Sequence, residues 1–173
     1  TMGFGTLATP SGLRIGLQGG DQLDGGAGVD TMAGGIGNDL YLVDHSDDQI
    51  QEFAGGGHDI VRASVSYTLP EGVEDLELTG SAPGAAKGND GVNTLRGNAG
   101  PNRLEGGLGN DLLVGGLGGD RYVLSSGGGA DTIQEDDNTP GSIDVAAFEG
   151  HTAFDQLWFR QMESALEVRV IGT

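Results

Sequence analysis

The sequence predicts an all-β solenoid in which short strands stack in parallel. A hexad, Gly-Gly-x-Gly-x-Asp, occurs four times, at 25–30, 34–39, 106–111 and 115–120. The copies form two tandem pairs, each with a nine-residue offset, and such a fixed period is typical of stacked coils. A large apolar side chain follows two residues after each terminal Asp, at Met32, Tyr41, Leu113 and Tyr122.

Each hexad predicts a turn whose oxygen atoms bind a cation. Glycine permits positive φ and lets a turn direct its carbonyl groups inward. Calcium prefers carbonyl and carboxylate oxygens, about six to eight per ion, so two stacked turns are needed to share one ion. The triplet after each Asp predicts a short strand with its middle residue inward. Such strands bury a core only when they stack, about 4.8 Å apart.

The nine-residue phase also extends beyond the complete hexads. Leu104, Leu95 and Ala86 precede Leu113 at the same spacing. Their turns, 97–102 and 88–93, end in Asn, which keeps an oxygen ligand but loses the charge, so weaker binding is expected there.

The elements follow in order along the chain. Residues 1–14 are predicted to be a leader or linker, 15–44 a first repeat block, 45–78 a bridging β segment, 79–124 a second repeat block, and 125–173 a C-terminal cap. A shortened coil at 19–23 opens the first block. In the bridge, apolar residues alternate with polar ones over 61–69, which predicts one half-buried strand.

The cap is predicted from a change of pattern after the second block. Another glycine turn ends at Asp131, residues 152–155 have the spacing of a helix N-cap, and two strands are expected near 157–159 and 166–170. Solenoids need an atypical terminal unit to cover the last coil.

Composition bounds the partners and the compartment. The chain of 173 residues carries 26 acidic and 8 basic residues, for a net charge of −18, and has no Cys. This charge argues against nucleic acid and anionic membranes as partners, and no apolar run is long enough to span a membrane. With 36% apolar residues, the core is thin. A Gly-rich flexible chain is therefore the alternative reading, and we expect it for the calcium-free state.

The repeats and their flanks resemble the RTX (haemolysin-type calcium-binding) family. The stretch 155–173 is similar to the related domain that often follows such repeats, and 59–69 with 73–80 is similar to the connector between blocks. The resemblance implies a parallel β-roll of nonapeptide repeats in two blocks, about eighteen residues per coil, with rows of about four to seven Ca²⁺ ions along both edges.

The resemblance also implies which turns share ions. The turn 97–102 shares an ion with 115–120, and 106–111 shares ions with 88–93 and with the turn ending in Asp131. In the first block, 34–39 pairs with 19–21 and with the turn ending in Asp59, and 25–30 pairs with 44–48. The expected metal ligands are Asp21, Gly25, Gly26, Ala27, Gly28, Asp30, Gly34, Gly35, Ile36, Gly37, Asp39, Asp44, Asp48, Asp59, Asn93, Gly97, Asn98, Gly100, Asn102, Gly106, Gly107, Leu108, Gly109, Asp111, Gly115, Gly116, Leu117, Gly118, Asp120 and Asp131.

The family resemblance further implies an extracellular protein of a Gram-negative bacterium. Its members pass unfolded through type I secretion machinery and fold in calcium-rich medium. The chain is expected to be a fragment of a larger parent polypeptide, a toxin, adhesin or other exoprotein.

An enzyme and a ligand-binding module are the two functional classes that compete with a calcium-binding folding module. An enzyme is not expected, because the chain has no His-Glu pair for a zinc protease and no nucleophile-elbow motif. The alternative that stays open is a calcium-dependent ligand-binding module for a polysaccharide or an adhesin partner, since fold alone does not set function.

Overall fold

The computed structural model describes residues 13–15, 18–53, 55–135, 137 and 142–149, and the backbone of 157–161 and 165–170. Every regular element in these ranges is a strand, which confirms the all-β prediction. No described segment forms a helix of the length and hydropathy that a membrane span requires. The strands are β1 Leu13–Ile15, β2 Gln22–Asp24, β3 Thr31–Ala33, β4 Leu40–Val43, β5 Gln49–Ile50, β6 Ile60–Ala63, β7 Tyr67–Thr68, β8 Asp75–Leu78, β9 Gly84–Lys87, β10 Thr94–Arg96, β11 Asn102–Glu105, β12 Leu112–Val114, β13 Arg121–Ser125, β14 Ala130–Gln134, β15 Val145–Glu149, β16 Leu157–Gln161 and β17 Ala165–Val170.

From β1 to β15 the chain alternates between two faces, and each pair of hydrogen-bonded strands in this range is two strands apart in sequence, with β5 and β7 left unpaired to each other. One face is a nine-stranded sheet of order β16-β17-β14-β12-β10-β8-β6-β4-β2, here called the long sheet. The opposite face, here called the split face, consists of a three-stranded sheet, β1-β3-β5, and a five-stranded sheet, β15-β13-β11-β9-β7. The pairing of β10 with β12 is parallel and joins Leu95 to Leu113, so one coil takes eighteen residues there. The predicted parallel β-roll solenoid is confirmed.

Two ladders of side chains fill the interior, one behind each face. Successive residues of a strand point to opposite sides of the sheet, and each short strand therefore directs an apolar side chain into the space between the two faces. All members of both ladders are less than a tenth exposed. The long-sheet ladder contains Leu23, Tyr41, Val61, Leu76, Leu95, Leu113 and Ile133. The split-face ladder contains Met32, Ile50, Tyr67, Ala86, Leu104 and Tyr122. The apolar positions predicted from the nine-residue phase are therefore core residues.

The bridging segment continues the solenoid, but its predicted single strand over 61–69 is wrong. Strand β6 ends at Ala63 and β7 begins at Tyr67, in opposite faces of the roll. The bend at Ser64 and Val65 carries the chain around the edge. At this corner, as in the strands, one side of the chain faces the interior and the other faces solvent. The alternation of apolar and polar residues therefore continues through the turn, and the turn cannot be located from it.

The split face is interrupted between β5 and β7, which end separate sheets. A groove of about 600 Å³ lies at this interruption, with Gln49, Gln51, Lys87 and Arg103 among its lining residues. On its floor, the Tyr67 hydroxyl donates a hydrogen bond of 2.9 Å to a backbone carbonyl, that of Asp48. The long sheet passes behind the groove without a break, because β4, β6 and β8 pair in register.

Both ends of the described chain depart from the regular coil. Strand β1 begins at Leu13, two residues before the predicted start of the first block. At the other end β17 pairs antiparallel with β14, and β16 pairs antiparallel with β17, so the two predicted final strands are present. Residues 1–12, the predicted helical turn at 152–155 and the side chain of Trp158 lie outside the described residues.

Candidate metal centre

The turns that join the two faces form two edges of the roll. The first edge carries the connections that lead from the split face to the long sheet: 18–21, 34–39, 51–59, 69–74, 88–93, 106–111 and 126–129. The second edge carries those that lead back: 25–30, 44–48, 64–66, 79–83, 97–101, 115–120 and the connection from β14 to β15. Successive hexads therefore lie on opposite edges, and turns two repeats apart stack on one edge.

One hydrogen bond recurs between stacked turns on both edges. The backbone N–H at the last position of one turn donates to Oδ1 of the Asp that ends the next turn on that edge, and this bond orients each carboxylate between two turns. On the first edge the pairs are Asp21 with Asp39 at 2.7 Å, Asp39 with Asp59 at 2.8 Å, Asn93 with Asp111 at 2.8 Å and Asp111 with Asp131 at 3.1 Å. On the second edge they are Asp30 with Asp48 at 2.9 Å, Asn102 with Asp120 at 2.8 Å and Asp120 with Asp144 at 2.9 Å. The turns that were predicted to stack do stack in this way. That each stacked pair binds an ion stays a prediction.

The other oxygen of several of these carboxylates is buried without a hydrogen-bond donor. This holds for Oδ2 of Asp39, Asp59, Asp111 and Asp120, whose residues are at most 2% exposed. A buried carboxylate oxygen without a partner costs free energy unless a cation compensates it. The donor set between the turns is oxygen, which suits a hard divalent cation such as Ca²⁺.

The pKa values of these carboxyl groups reflect their surroundings. Burial, with a further contribution from Asp131, raises the pKa of Asp111 to about 7. Burial likewise raises the pKa of Asp131 to about 6, and burial with Glu135, Asp144 and Asp137 raises that of Asp120 to about 6. Without a positive charge nearby, burial in the folded roll shifts these carboxyl groups toward the neutral acid. A bound cation would reverse this shift.

The glycines of the hexads serve two different purposes. The second and fourth positions have positive φ, for example 104° at Gly107 and 108° at Gly109, a conformation that L-residues rarely adopt. At the first position, a Cβ on Gly106 would overlap the Asp111 carboxylate. The third-position side chains of Ile36, Leu108 and Leu117 are exposed, so these residues can serve the predicted sites only through their backbone.

Asparagine side chains replace part of this arrangement in the middle of the roll. The Asn93 amide nitrogen donates to the carbonyl oxygens of Val73 at 3.2 Å and Glu74 at 3.1 Å, in the preceding turn. The Asn98 amide nitrogen donates in the same way to Thr79 at 3.1 Å and Ala82 at 3.0 Å. Neutral donors thus satisfy carbonyl groups of the connections 69–74 and 79–83. Toward the following turns, 106–111 and 115–120, the Asp hydrogen bonds described above are retained.

The structure adds acidic residues that the predicted ligand set lacks. Two groups of three residues each place carboxylate oxygens within 4.8 Å of one another, and these are Asp39 with Glu52 and Asp59, and Asp120 with Glu135 and Asp144. The sequence does contain a signal for the two glutamates, because Asp-x-Ile-Gln-Glu occurs at both 48–52 and 131–135. Asp44, a predicted ligand, is exposed, and its backbone N–H lies 3.4 Å from Asp48 Oδ2.

Comparison with known proteins agrees with this geometry. The RTX calcium-binding nonapeptide repeat family matches residues 15–41 and 87–122, in four copies. The chain is similar to two proteins of Rhizobium meliloti (strain 1021). It is 40% identical over 161 residues to endo-1,3-1,4-beta-glycanase EglC, which covers 91% of the chain and 34% of that protein. It is 40% identical over 91 residues to endo-1,3-1,4-beta-glycanase ExsH, which covers 51% of the chain and 19% of that protein.

The chain thus spans about a third or less of the length of these relatives. The hexads, their stacked carboxylates and the matched repeats all fall on the same turns. On these grounds the chain carries RTX calcium-binding nonapeptide repeats, in four copies.

Proposed function

We propose that this chain is the calcium-dependent folding module of a secreted bacterial protein, which crosses a type I secretion channel unfolded and forms its β-roll on meeting Ca²⁺ outside the cell. The observation that carries the proposal is the stack of buried carboxylates. Oδ2 of Asp39, Asp59, Asp111 and Asp120 is buried without a hydrogen-bond donor, so the roll concentrates negative charge that a bound cation would compensate near neutral pH.

Electrostatics supply the switch between the two states. At a net charge of −18, self-repulsion favours an expanded chain when divalent cations are scarce. About six bound Ca²⁺ ions would reduce the net charge to about −6, and the free energy of binding would contribute directly to folding because the sites exist only in the roll.

A calcium titration followed by far-UV circular dichroism tests this proposal. We expect a disordered spectrum in chelator, a β-rich spectrum at millimolar Ca²⁺, and reversal on renewed chelation. Magnesium at the same concentration should be much less effective, because it requires near-ideal octahedral geometry and loses water reluctantly. A β-rich spectrum that persists in excess chelator would overturn the proposal.

We also propose that the module serves a larger exoprotein and is not itself an enzyme. The similarity to glycanases over about a third or less of their length supports a shared accessory region, and the sequence carries no catalytic motif among those considered above. The calcium-loaded chain should therefore leave mixed-linkage β-glucan uncleaved in a reducing-sugar assay. Release of reducing ends at a rate that scales with the protein concentration would contradict this.

A second candidate function rests on the groove between β5 and β7. Its lining includes the amides of Gln49 and Gln51 and the basic side chains of Lys87 and Arg103, and such groups recognise the hydroxyl and carboxylate groups of polysaccharides. Pull-down with acidic and neutral polysaccharides, with and without Ca²⁺, tests this binding. A folding module alone should show no retention.

A further inference from the structure

The geometry points to two glutamate-containing cation sites, one built around Glu52 and one around Glu135, that differ in composition from the stacks of hexad aspartates. This inference rests on the proposed calcium-binding function and adds two ligands, Glu52 and Glu135, that lie outside the hexads. Each site combines the Asp of a complete hexad, the Asp that ends the next connection on the same edge, and a glutamate that begins that connection.

The first site lies where 34–39 meets the connection from β5 to β6. Carboxylate oxygens of Asp39, Glu52 and Asp59 lie within 4.8 Å of one another, and Oδ2 of both aspartates is buried without a donor. Glu52 Oε1 accepts a hydrogen bond of 3.2 Å from the Gly35 backbone N–H. A group of converging oxygens with unpaired, fully buried members is a ready-made cation site.

A tyrosine fixes the glutamate in this position. The Tyr41 hydroxyl donates to Glu52 Oε1 and accepts a hydrogen bond of 2.7 Å from the Gly34 backbone N–H. A Cβ on Gly34 would overlap Asp39 Oδ2, the Tyr41 hydroxyl and Glu52 Oε1. These three oxygens therefore converge on the space that the glycine leaves open.

The second site repeats the first with different residues on the opposite edge. The Tyr122 hydroxyl donates to Glu135 Oε2, and a Cβ on Gly115 would overlap Tyr122, Asp120 Oδ2 and Glu135 Oε2. Asp120 Oδ2 is buried without a donor, and Asp144 completes the group. Independent recurrence of the same Asp, Tyr and Glu arrangement in both repeat blocks argues that it serves one chemical purpose.

Both glutamates lie in connections that are longer than a hexad. A complete hexad takes six residues between strands, whereas the connection from β5 to β6 takes nine and that from β14 to β15 takes ten. In each of the two, a glutamate at or near the start brings its carboxylate to the preceding turn on the same edge. Three carboxylates instead of two raise the charge of the site, and ligand charge raises affinity for Ca²⁺.

Isosteric substitution tests the assignment, with a matched control. Glu52→Gln and Glu135→Gln each remove one charge and keep the side-chain length, and Glu71→Gln removes a charge from an exposed turn residue. By isothermal titration with Ca²⁺, each glutamate variant should lose one of the tightest sites, weakened roughly 10–100-fold. The Glu71→Gln variant should match the unmodified chain.

Terbium gives a second readout that is weighted toward these two sites. Tb³⁺ replaces Ca²⁺ at oxygen sites, and the hydroxyls of Tyr41 and Tyr122 contact the glutamates directly, so excitation of tyrosine should sensitise Tb³⁺ emission. Each single glutamine variant should lose part of this emission and the double variant more, while Tyr67, whose hydroxyl contacts the backbone of Asp48, supplies a signal that these variants leave unchanged. Glu52→Asp, which keeps the charge but shortens the reach, provides a second variant and should show an intermediate loss.

The outcomes separate this inference from the proposed function. No Ca²⁺ binding by the unmodified chain would defeat the proposed function. Normal binding by the unmodified chain, with Glu52→Gln and Glu135→Gln indistinguishable from Glu71→Gln in both measurements, would overturn the glutamate sites alone. Circular dichroism at saturating Ca²⁺ confirms that each variant has folded.

Discussion

At the scale of single residues, the last position of each turn decides how the stack is held together. An Asp at this position presents a buried oxygen without a donor, as at Asp111 and Asp120, which a cation would satisfy. Asn93 presents an amide nitrogen that donates to two carbonyl groups of the preceding turn. We therefore expect the carboxylate, but not the amide, to make stability depend on the concentration of calcium.

This contrast leads to different expectations for two substitutions. Asp111→Ala should raise the calcium concentration at the midpoint of folding by about tenfold or more, because it removes a charged ligand from a turn that stacks on both sides. Asn93→Ala should lower the free energy of unfolding by about 1–3 kcal/mol, by a similar amount at every calcium concentration, because it leaves two carbonyl groups unpaired. Urea unfolding at several calcium concentrations separates the two effects. A larger shift of the calcium midpoint for Asn93→Ala would contradict the assigned stacking.

The raised carboxyl pKa values make the calcium-free and calcium-bound states respond to pH in opposite directions. Burial raises the pKa of Asp111 from 3.8 to about 7, so the folded chain binds more protons than the unfolded chain between these values. Without calcium, the roll should therefore lose stability as the pH rises from about 4 to about 7. In the unfolded chain the carboxyl groups are already ionised above about pH 5, so calcium-driven folding from that state should take up or release few protons between about pH 5.5 and 7.5. The midpoint calcium concentration should therefore stay nearly constant over this range and rise only as the pH falls toward about 4. Circular dichroism titrations from about pH 4 to 7.5 test both trends, and a midpoint that rises about tenfold or more between pH 7.5 and 5.5 would contradict the second.

The sequence predicted the aspartates of the hexads but not the glutamates that join two of them. Asp39 and Asp120 stand at a fixed distance from glycines and from a buried residue, so spacing alone predicts their place in the turn. Glu52 and Glu135 lie at the start of connections of irregular length. The recurrence of Asp-x-Ile-Gln-Glu marks both glutamates, but their approach to the site depends on how those connections fold back, which the nine-residue period does not encode.

At the scale of elements, strand periodicity predicted the interior of the roll better than its corners. The nine-residue phase placed Leu95, Leu104 and Leu113 in the core, where all three are fully buried. Strand periodicity was wrong at 61–69, where the structure has two strands, β6 and β7, in place of the one predicted. An inward side chain in a solenoid stays inward around the edge, so the pattern of burial carries no mark of the turn.

The antiparallel hairpin of β16 and β17 supports the predicted capping role of the C-terminal segment. Because β17 covers the free edge of β14, deletion of residues 148–173 should raise the calcium concentration needed for folding. The fluorescence of Trp158, the one Trp of the chain, should shift to the blue on calcium addition, in step with the circular dichroism change. Equal calcium midpoints for the truncated and full chains would refute the capping role.

At the scale of the whole molecule, charge decides between an expanded and a compact chain. With 26 acidic and 8 basic residues, repulsion among the negative charges opposes compaction of the chain, and bound cations would reduce this repulsion. Small-angle X-ray scattering should give a radius of gyration approaching ~44 Å in chelator and falling toward ~16 Å with calcium, from chain-length scaling for 173 residues. High concentrations of NaCl should screen the repulsion and shrink the chain only in part. Full compaction by NaCl alone would show that specific coordination is not required.

The interruption of the split face gives the roll a mechanical asymmetry. Backbone hydrogen bonds run without a break through the long sheet from β2 to β14, whereas on the other face they stop between β5 and β7. A two-layered structure bends most easily where one of its layers is interrupted. We expect the first repeat block to rotate relative to the second at the groove, while the long sheet stays hydrogen-bonded and bends there. A ligand that contacts both Gln49 and Lys87 in the groove would then restrict this bending and make the whole roll more rigid.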